Sequence, residues 1–169
     1  MSTTLFKGNL VHLSGTEIQV GQNAPEVTLV TKDLTEKKIG GKSDKLNLLV
    51  VVPSLDTGVC ALEAKKFHEK AASLAGVEII VISMDLPFAA GRFCTTAGIN
   101  NLTFASDFRN KDFAKAYGVL ILDGPLAGLT CRALFINDKE GKVVYKEIVT
   151  EITQEPEYEK CLEFLKKLQ

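Results

Sequence analysis

The chain has no apolar run near the ~18 residues that a membrane-spanning helix needs; its unbroken apolar runs, such as residues 48–52 and 79–82, are strand-sized. Neither sign of charge is in excess. Lys and Arg total 20 against 21 Asp and Glu, a formal net charge of −1, so nucleic acid and anionic membranes, which reward a basic face, are not expected partners. Residues 1–15 contain no apolar segment of the signal-peptide kind, so a cytoplasmic location is expected. Structural disulfides are not expected there, and the four cysteines (Cys60, Cys94, Cys131 and Cys161) form no Cys-x-x-Cys pair. With only His12 and His68 as histidines, a zinc site would have to be assembled from scattered ligands. No repeat, low-complexity tract or Pro/Gly/Ser linker breaks the sequence, so residues 1–169 are expected to form one domain.

What is present has the balance of a folded protein, 46% hydrophobic and 24% charged. Ser14-Gly15, between apolar-rich segments 5–12 and 16–20, suggests an N-terminal β-hairpin. Residues 27–31 form a short strand candidate. Residues 46–52, apolar almost throughout and ended by Pro53, have the pattern of a strand buried on both faces. The period then changes. Cys60, Ala64, Phe67, Ala71 and Leu74 recur at helical spacing, with Lys65, Lys66, Glu69 and Lys70 opposite. A second buried strand is expected at 77–83, then a helix from Pro87 to about Ala97, stopped by Gly98. A short strand at 102–105, a helix at 111–117, strands at 131–136 and 143–149 around a Gly-closed loop, and a helix at 155–168 complete the order. This is an α/β arrangement of thioredoxin-like order, a mixed central sheet flanked by helices, with an added N-terminal hairpin. In such sheets ligands bind beyond the carboxyl ends of the parallel strands. The segments after residues 52 and 83 each carry a cysteine, Cys60 and Cys94, and both are expected to head their helices.

If Asp56 or Thr57 caps its helix, Cys60 lies in the first turn, where free N–H groups and the macrodipole favour an anion. By position alone Cys60 reads equally well as a small apolar residue at the head of a buried stripe. Geometry weighs against a Cys–His hydrolase. His68 stands eight residues further along the same helix, about 12 Å away by rise, on its charged face, and His12 belongs to the hairpin.

Pro53-x-x-x-Thr57-x-x-Cys60 resembles the active-site signature of the peroxiredoxins, and the full string Pro53-Ser-Leu-Asp-Thr-Gly-Val-Cys60 resembles their thiol peroxidase subfamily, of the atypical two-cysteine type. The likeness continues in Ser83-Met-Asp-Leu-Pro-Phe-Ala89, Arg92-Phe-Cys94, Ser106-Asp-Phe-Arg109, Ala116-Tyr-Gly-Val119, Gly124-Pro-Leu-Ala-Gly128, Arg132, Glu151-Ile-Thr and Glu155-Pro-Glu-Tyr158, in family order. The resemblance implies that Cys60 attacks a hydroperoxide to become a sulfenic acid. It implies that Cys94 of the same chain resolves this to a disulfide, which thioredoxin reduces. It further implies that Thr57 and Arg132 form the active-site pair, that Pro53 shields the thiol, that no metal, flavin or haem takes part, and that the chain forms a homodimer. Cys131, alternating with Thr130 and Arg132, is expected on the other sheet face, and Cys161 on the apolar stripe of the last helix; both read as core thiols. For Arg132 the plainer alternative is a surface or ion-paired residue.

Magnitudes show what such a site must supply. For a thiol in general, lowering the pKa from ~8.5 to ~6 raises the thiolate fraction at neutral pH about thirtyfold. The accompanying loss of nucleophilicity costs roughly tenfold to eighteenfold. The net gain is about twofold to threefold, so the rest must come from donors aimed at the peroxide oxygens. The same cysteines would also serve a non-enzymatic redox sensor, which turnover distinguishes. A thioredoxin-like disulfide reductase is disfavoured by the missing Cys-x-x-Cys. The resolving step also implies motion, because a disulfide needs Cα atoms within about 7 Å while Cys60 must first hold a peroxide in a closed pocket.

Overall fold

The computed structural model describes residues 2–71 and 73–169; the side chain of Ala71, one of the periodic apolar positions, lies outside what is described. The main sheet has seven strands, in the spatial order 36–39, 27–31, 103–106, 77–83, 46–51, 133–137 and 143–148. At its centre β5 (Leu46–Val51) runs parallel to β6 (Val77–Ser83), and β6 parallel to β7 (Thr103–Ser106). The other members are β3 (Val27–Thr31), β4 (Glu36–Ile39), β8 (Ala133–Asn137) and β9 (Val143–Ile148), all paired antiparallel.

Alternation along β5 divides the core in two. Leu49 and Val51 pack on one face with Phe113, Tyr117, Cys131 and Phe135. Leu48, Val50 and Val52 pack on the other with Cys60, Phe67, Cys94, Cys161 and Leu165. Helices α1 (Gly58–Ala71), α2 (Pro87–Ala97) and α4 (Tyr158–Leu168) cover this second face, and α3 (Asp112–Ala116) the first. The expected mixed sheet with helices on both faces is therefore present. Cys131 lies on the opposite face from Cys60, as its alternation predicts.

Three expectations are corrected. The hairpin consists of β1 (Thr3–Phe6) and β2 (Asn9–His12), turning at Lys7-Gly8 and not at Ser14-Gly15. Both turn residues have positive φ, 51° and 80°, the requirement of the primed turn that matches strand twist. Gly15 serves a close approach instead: a Cβ there would meet the Lys115 carbonyl at 2.3 Å. Second, residues 36–39 form an edge strand that sequence reasoning missed. Its Glu-Lys-Lys run is the charged kind that protects an open edge. Third, Cys94 does not head its helix. Its carbonyl accepts the Ile99 N–H in the C-terminal closure around Gly98, so it lies in the last turns of α2.

Candidate active site

The loop from Pro53 to Thr57 leaves the carboxyl end of β5 and is held by Asp85, just beyond β6. One Asp85 carboxylate oxygen accepts the Ser54 hydroxyl at 2.8 Å; the other accepts the Leu55 N–H at 2.7 Å and the Ser83 hydroxyl at 2.8 Å. Pro53 is buried directly after Val52. The Thr57 carbonyl accepts the Ala61 N–H, which makes Thr57 the residue from which α1 starts. Its hydroxyl does not cap the helix. It donates to the Ser54 carbonyl at 3.0 Å, so the first N–H groups of α1, which have no intrahelical partner, keep no cap from this side chain. Cys60 is the third residue of the helix and is fully buried, while Asp56, Thr57 and Gly58 above it are exposed.

Arg132 reaches Cys60 from the far end of the sequence. Its Nη1 donates to Cys60 Sγ at 3.2 Å and to Glu63 Oε2 at 2.8 Å, and its Nε donates to the Ile152 carbonyl at 2.8 Å. The residue is 2% exposed. Both sequence readings of Arg132 thus meet in one side chain, which is ion-paired and also faces the thiol. The segment bearing it is tied down by the Thr130 hydroxyl, 2.7 Å from the Val52 carbonyl at the foot of the Pro53 loop. The Ile152 carbonyl is in turn placed by the N-terminal hairpin. Leu5 pairs with Thr150 and Ile152 through backbone bonds of 2.8 Å each, and the Thr4 hydroxyl donates to the Val149 and Thr150 carbonyls.

Burial disfavours the charged form of Arg132, but the acids at Cys60 and Glu63 outweigh it and its pKa is raised. Seen from the other partner, burial pushes Glu63 from 4.5 up to about 7 although Arg132 opposes the shift. Among the described residues Arg132 thus faces two acids, whereas Glu63 has Arg132 as its one ion-pair partner.

Glu63 is the residue that sequence reasoning missed. Its signal was available: Cys60, Glu63, Ala64 and Phe67 stand at i, i+3, i+4 and i+7, which places a carboxylate inside an apolar stripe. Asp85 lies within the Ser83–Ala89 motif, and its role in tethering the loop has no signal in the sequence.

Cys94 shares the apolar cluster of Cys60, and both are free thiols. Burial raises the Cys94 pKa, with Lys32 the main opposing charge. Burial likewise pushes Cys131 and Cys161 up to about 12, which fits unreactive core thiols. His68 is occupied with Asn101. A groove of about 740 Å3 between α1 and α4 is lined by Phe67, Lys70, Tyr158 and Leu162 and includes none of Pro53, Thr57, Cys60 or Arg132; its volume is no guide to the thiol chemistry.

The redoxin family model matches residues 19–162. Thiol peroxidase of Aquifex aeolicus is 53% identical over 166 residues, 98% of each chain. That of Campylobacter jejuni is 55% identical over 160 residues, 95% of this chain and 90% of the relative. Among solved structures, a peroxiredoxin-like protein from Aquifex aeolicus superposes with a TM-score of 0.97 at 52% identity, covering 100% of this chain and 98% of that one. A thiol peroxidase from Chromobacterium violaceum, 24% identical, shares the fold with a TM-score of 0.89 over 98% of this chain and 95% of its own.

Proposed function

Because this chain belongs to the redoxin family and, within it, to the thiol peroxidases of peroxiredoxin type, we propose that Cys60 is its peroxidatic cysteine and Cys94 its resolving cysteine. The chemistry is a two-electron reduction of hydrogen peroxide or an organic hydroperoxide. The Cys60 thiolate attacks the terminal peroxide oxygen, forming an S–O bond as the O–O bond breaks. Cys60 becomes a sulfenic acid, and the departing alkoxide or hydroxide takes one proton. The Cys94 thiol then displaces water from the sulfenic acid to give the Cys60–Cys94 disulfide, and a thioredoxin-type dithiol reduces it.

The observation that carries this reading is the Arg132 guanidinium, 3.2 Å from Cys60 Sγ and fixed from behind by the Ile152 carbonyl. Preorganised donors of permanent charge stabilise negative charge as it moves onto the outer peroxide oxygen. Thr57 fits the same reading: its proton is committed to Ser54, so its oxygen is free to accept from the peroxide O–H. Pro53, buried directly after Val52, takes the part of the shielding proline in this reading.

Cys60 sits in the first turn of α1 and Cys94 in the last turns of α2. Resolution in this reading therefore follows local unwinding around one or both cysteines, as a step separate from oxidation. The exposed Leu86 and Phe88 at the start of α2 offer apolar surface for the expected homodimer. No helix among the described residues is long and apolar enough to cross a membrane, and a cytoplasmic setting supplies reduced thioredoxin.

Peroxide consumption coupled to thioredoxin and its reductase tests the reading. The wild-type protein should consume many equivalents of peroxide, and Cys60→Ser should consume none, because a hydroxyl is neither ionised nor nucleophilic enough near neutral pH. Consumption that stops near one equivalent points to a sensor; turnover that survives Cys60→Ser removes Cys60 from the mechanism.

A further inference from the structure

Glu63 is a carboxylate with a fully buried side chain, one helical turn beyond Cys60. Its Oε2 accepts Arg132 Nη1 at 2.8 Å, the same nitrogen that donates to Cys60 Sγ. Its Oε1 is buried and has no partner among the described residues. One guanidinium thus stands between two acids in an apolar core.

Among the described residues Glu63 has no ion-pair partner besides Arg132. Glu147 of β9 and Glu155 ahead of α4 act on it as like charges. Tyr158 and Cys161 of α4 are near enough to feel its charge. Glu155 itself is paired at the surface with Lys66, at 3.1 Å. With both Cys60 and Glu63 ionised, the buried cluster would carry a net negative charge. That is costly in a medium of low dielectric, and a proton on one of the acids removes the cost. Burial pushes the Glu63 carboxyl up to about 7, in agreement with this placement of the proton.

We propose that Glu63 is the charge-compensating partner of Cys60, holding a proton while Cys60 is a thiolate and releasing it when Cys60 becomes a sulfenic acid. The inference rests on Cys60 as the peroxidatic residue. The count closes. Cys60 thiolate, peroxide and protonated Glu63 give Cys60 sulfenic acid, alcohol or water, and ionised Glu63. The two electrons of the new S–O bond come from sulfur, and the released proton equals the one that the leaving oxygen takes up. Net charge around Arg132 is zero before and after, since the cation pairs first with the thiolate and then with the carboxylate. Glu63 acts through Arg132 and is a positioning residue.

The test uses the Cys94→Ser protein, in which oxidation by one equivalent of hydrogen peroxide stops at the sulfenic acid, at or below neutral pH. Dimedone trapping and mass spectrometry locate the oxidised residue. The infrared difference spectrum, oxidised minus reduced, should show the loss of one protonated-carboxyl carbonyl band, and adding Glu63→Gln should abolish that loss. In weakly buffered solution the parent should take up no net proton, and the Glu63→Gln protein one proton per Cys60 oxidised. If Cys60 forms its sulfenic acid while the carboxyl band stays unchanged, or while the parent already takes up a proton, the proposal is overturned and the role of Cys60 stands. If the sulfenic acid forms elsewhere, the role of Cys60 falls and the proposal with it. Should Glu63→Gln fold poorly, the parent's infrared band decides alone.

Discussion

Arg132 uses one nitrogen to anchor itself on the Ile152 carbonyl and another to serve Cys60 and Glu63 together. Lysine offers a point charge on a flexible stem and cannot span those positions. A charge-assisted hydrogen bond contributes about 1.5–3 kcal/mol, so Arg132→Lys is expected to slow sulfenic acid formation about tenfold to a hundredfold. Stopped-flow measurement of the second-order rate with peroxide checks this; an unchanged rate places Arg132 outside the chemistry. Glu63 makes a prediction about stability with a definite sign. Its folded pKa, about 7, lies above the ordinary 4.5. Between these values the folded state binds more protons than the unfolded state, so this contribution is fully present below about 4.5 and is lost as pH rises through about 7. Asp107 and Glu147, also raised by burial, act with the same sign. Urea unfolding across this window should show a shallower fall in stability for Glu63→Gln than for wild type.

At the scale of elements, the site depends on how the ends of β5 and β6 hold the turn that starts α1. Asp85 accepts from Ser54, Leu55 and Ser83. Asp85→Ala leaves those donors without their acceptor, at a cost of about 1–3 kcal/mol. It should also loosen the first turn of α1, lowering the peroxide rate with the helix itself retained. Chemical unfolding and stopped flow on the same variant test both parts. Lost stability with an unchanged rate would mean that the loop does not position Cys60. The elements that carry this turn were legible because their periods are unambiguous: residues 46–51 and 77–83 alternate within nearly unbroken apolar runs, and Pro87 and Gly98 bracket α2. The hairpin was misplaced because its turn is Lys7-Gly8, and a lysine at positive φ is not a turn signal that composition offers. Strand β4 was hidden by its own charges, which protect an edge and erase the hydrophobic pattern.

Across the whole molecule, the site joins parts that local patterns do not connect. Cys60, Thr57 and Pro53 are adjacent in sequence and formed one readable motif. The environment of Glu63 was not readable, because its partner Arg132 lies 69 positions away and only the pairing of β5 with β8 brings them together. The same holds for the chain of support behind Arg132. It runs through Ile152 to Leu5, and the Thr4 hydroxyl closes it on the Val149 carbonyl across 145 positions at 2.8 Å. Contacts of such separation bear the largest loop-closure cost, so they are expected to form late in folding. In the proposed reading, the nucleophile and its cation are then expected to mature at different times. Helix α1 can present Cys60 as soon as β5 and β6 have paired, whereas Arg132 waits for a clamp made of residues 4 and 149–152. On a ribosome the proposed nucleophile would emerge well before the cation proposed to assist it, and a nascent or refolding chain is expected to pass through a period in which it carries Cys60 without peroxidase activity. Thr4→Val, which removes that clasp, should refold its sheet at nearly the wild-type rate and regain peroxide reactivity more slowly. Refolding followed at once by circular dichroism and by peroxide pulses would separate the two phases; their coincidence in this variant would show that the clamp does not govern when the site becomes active.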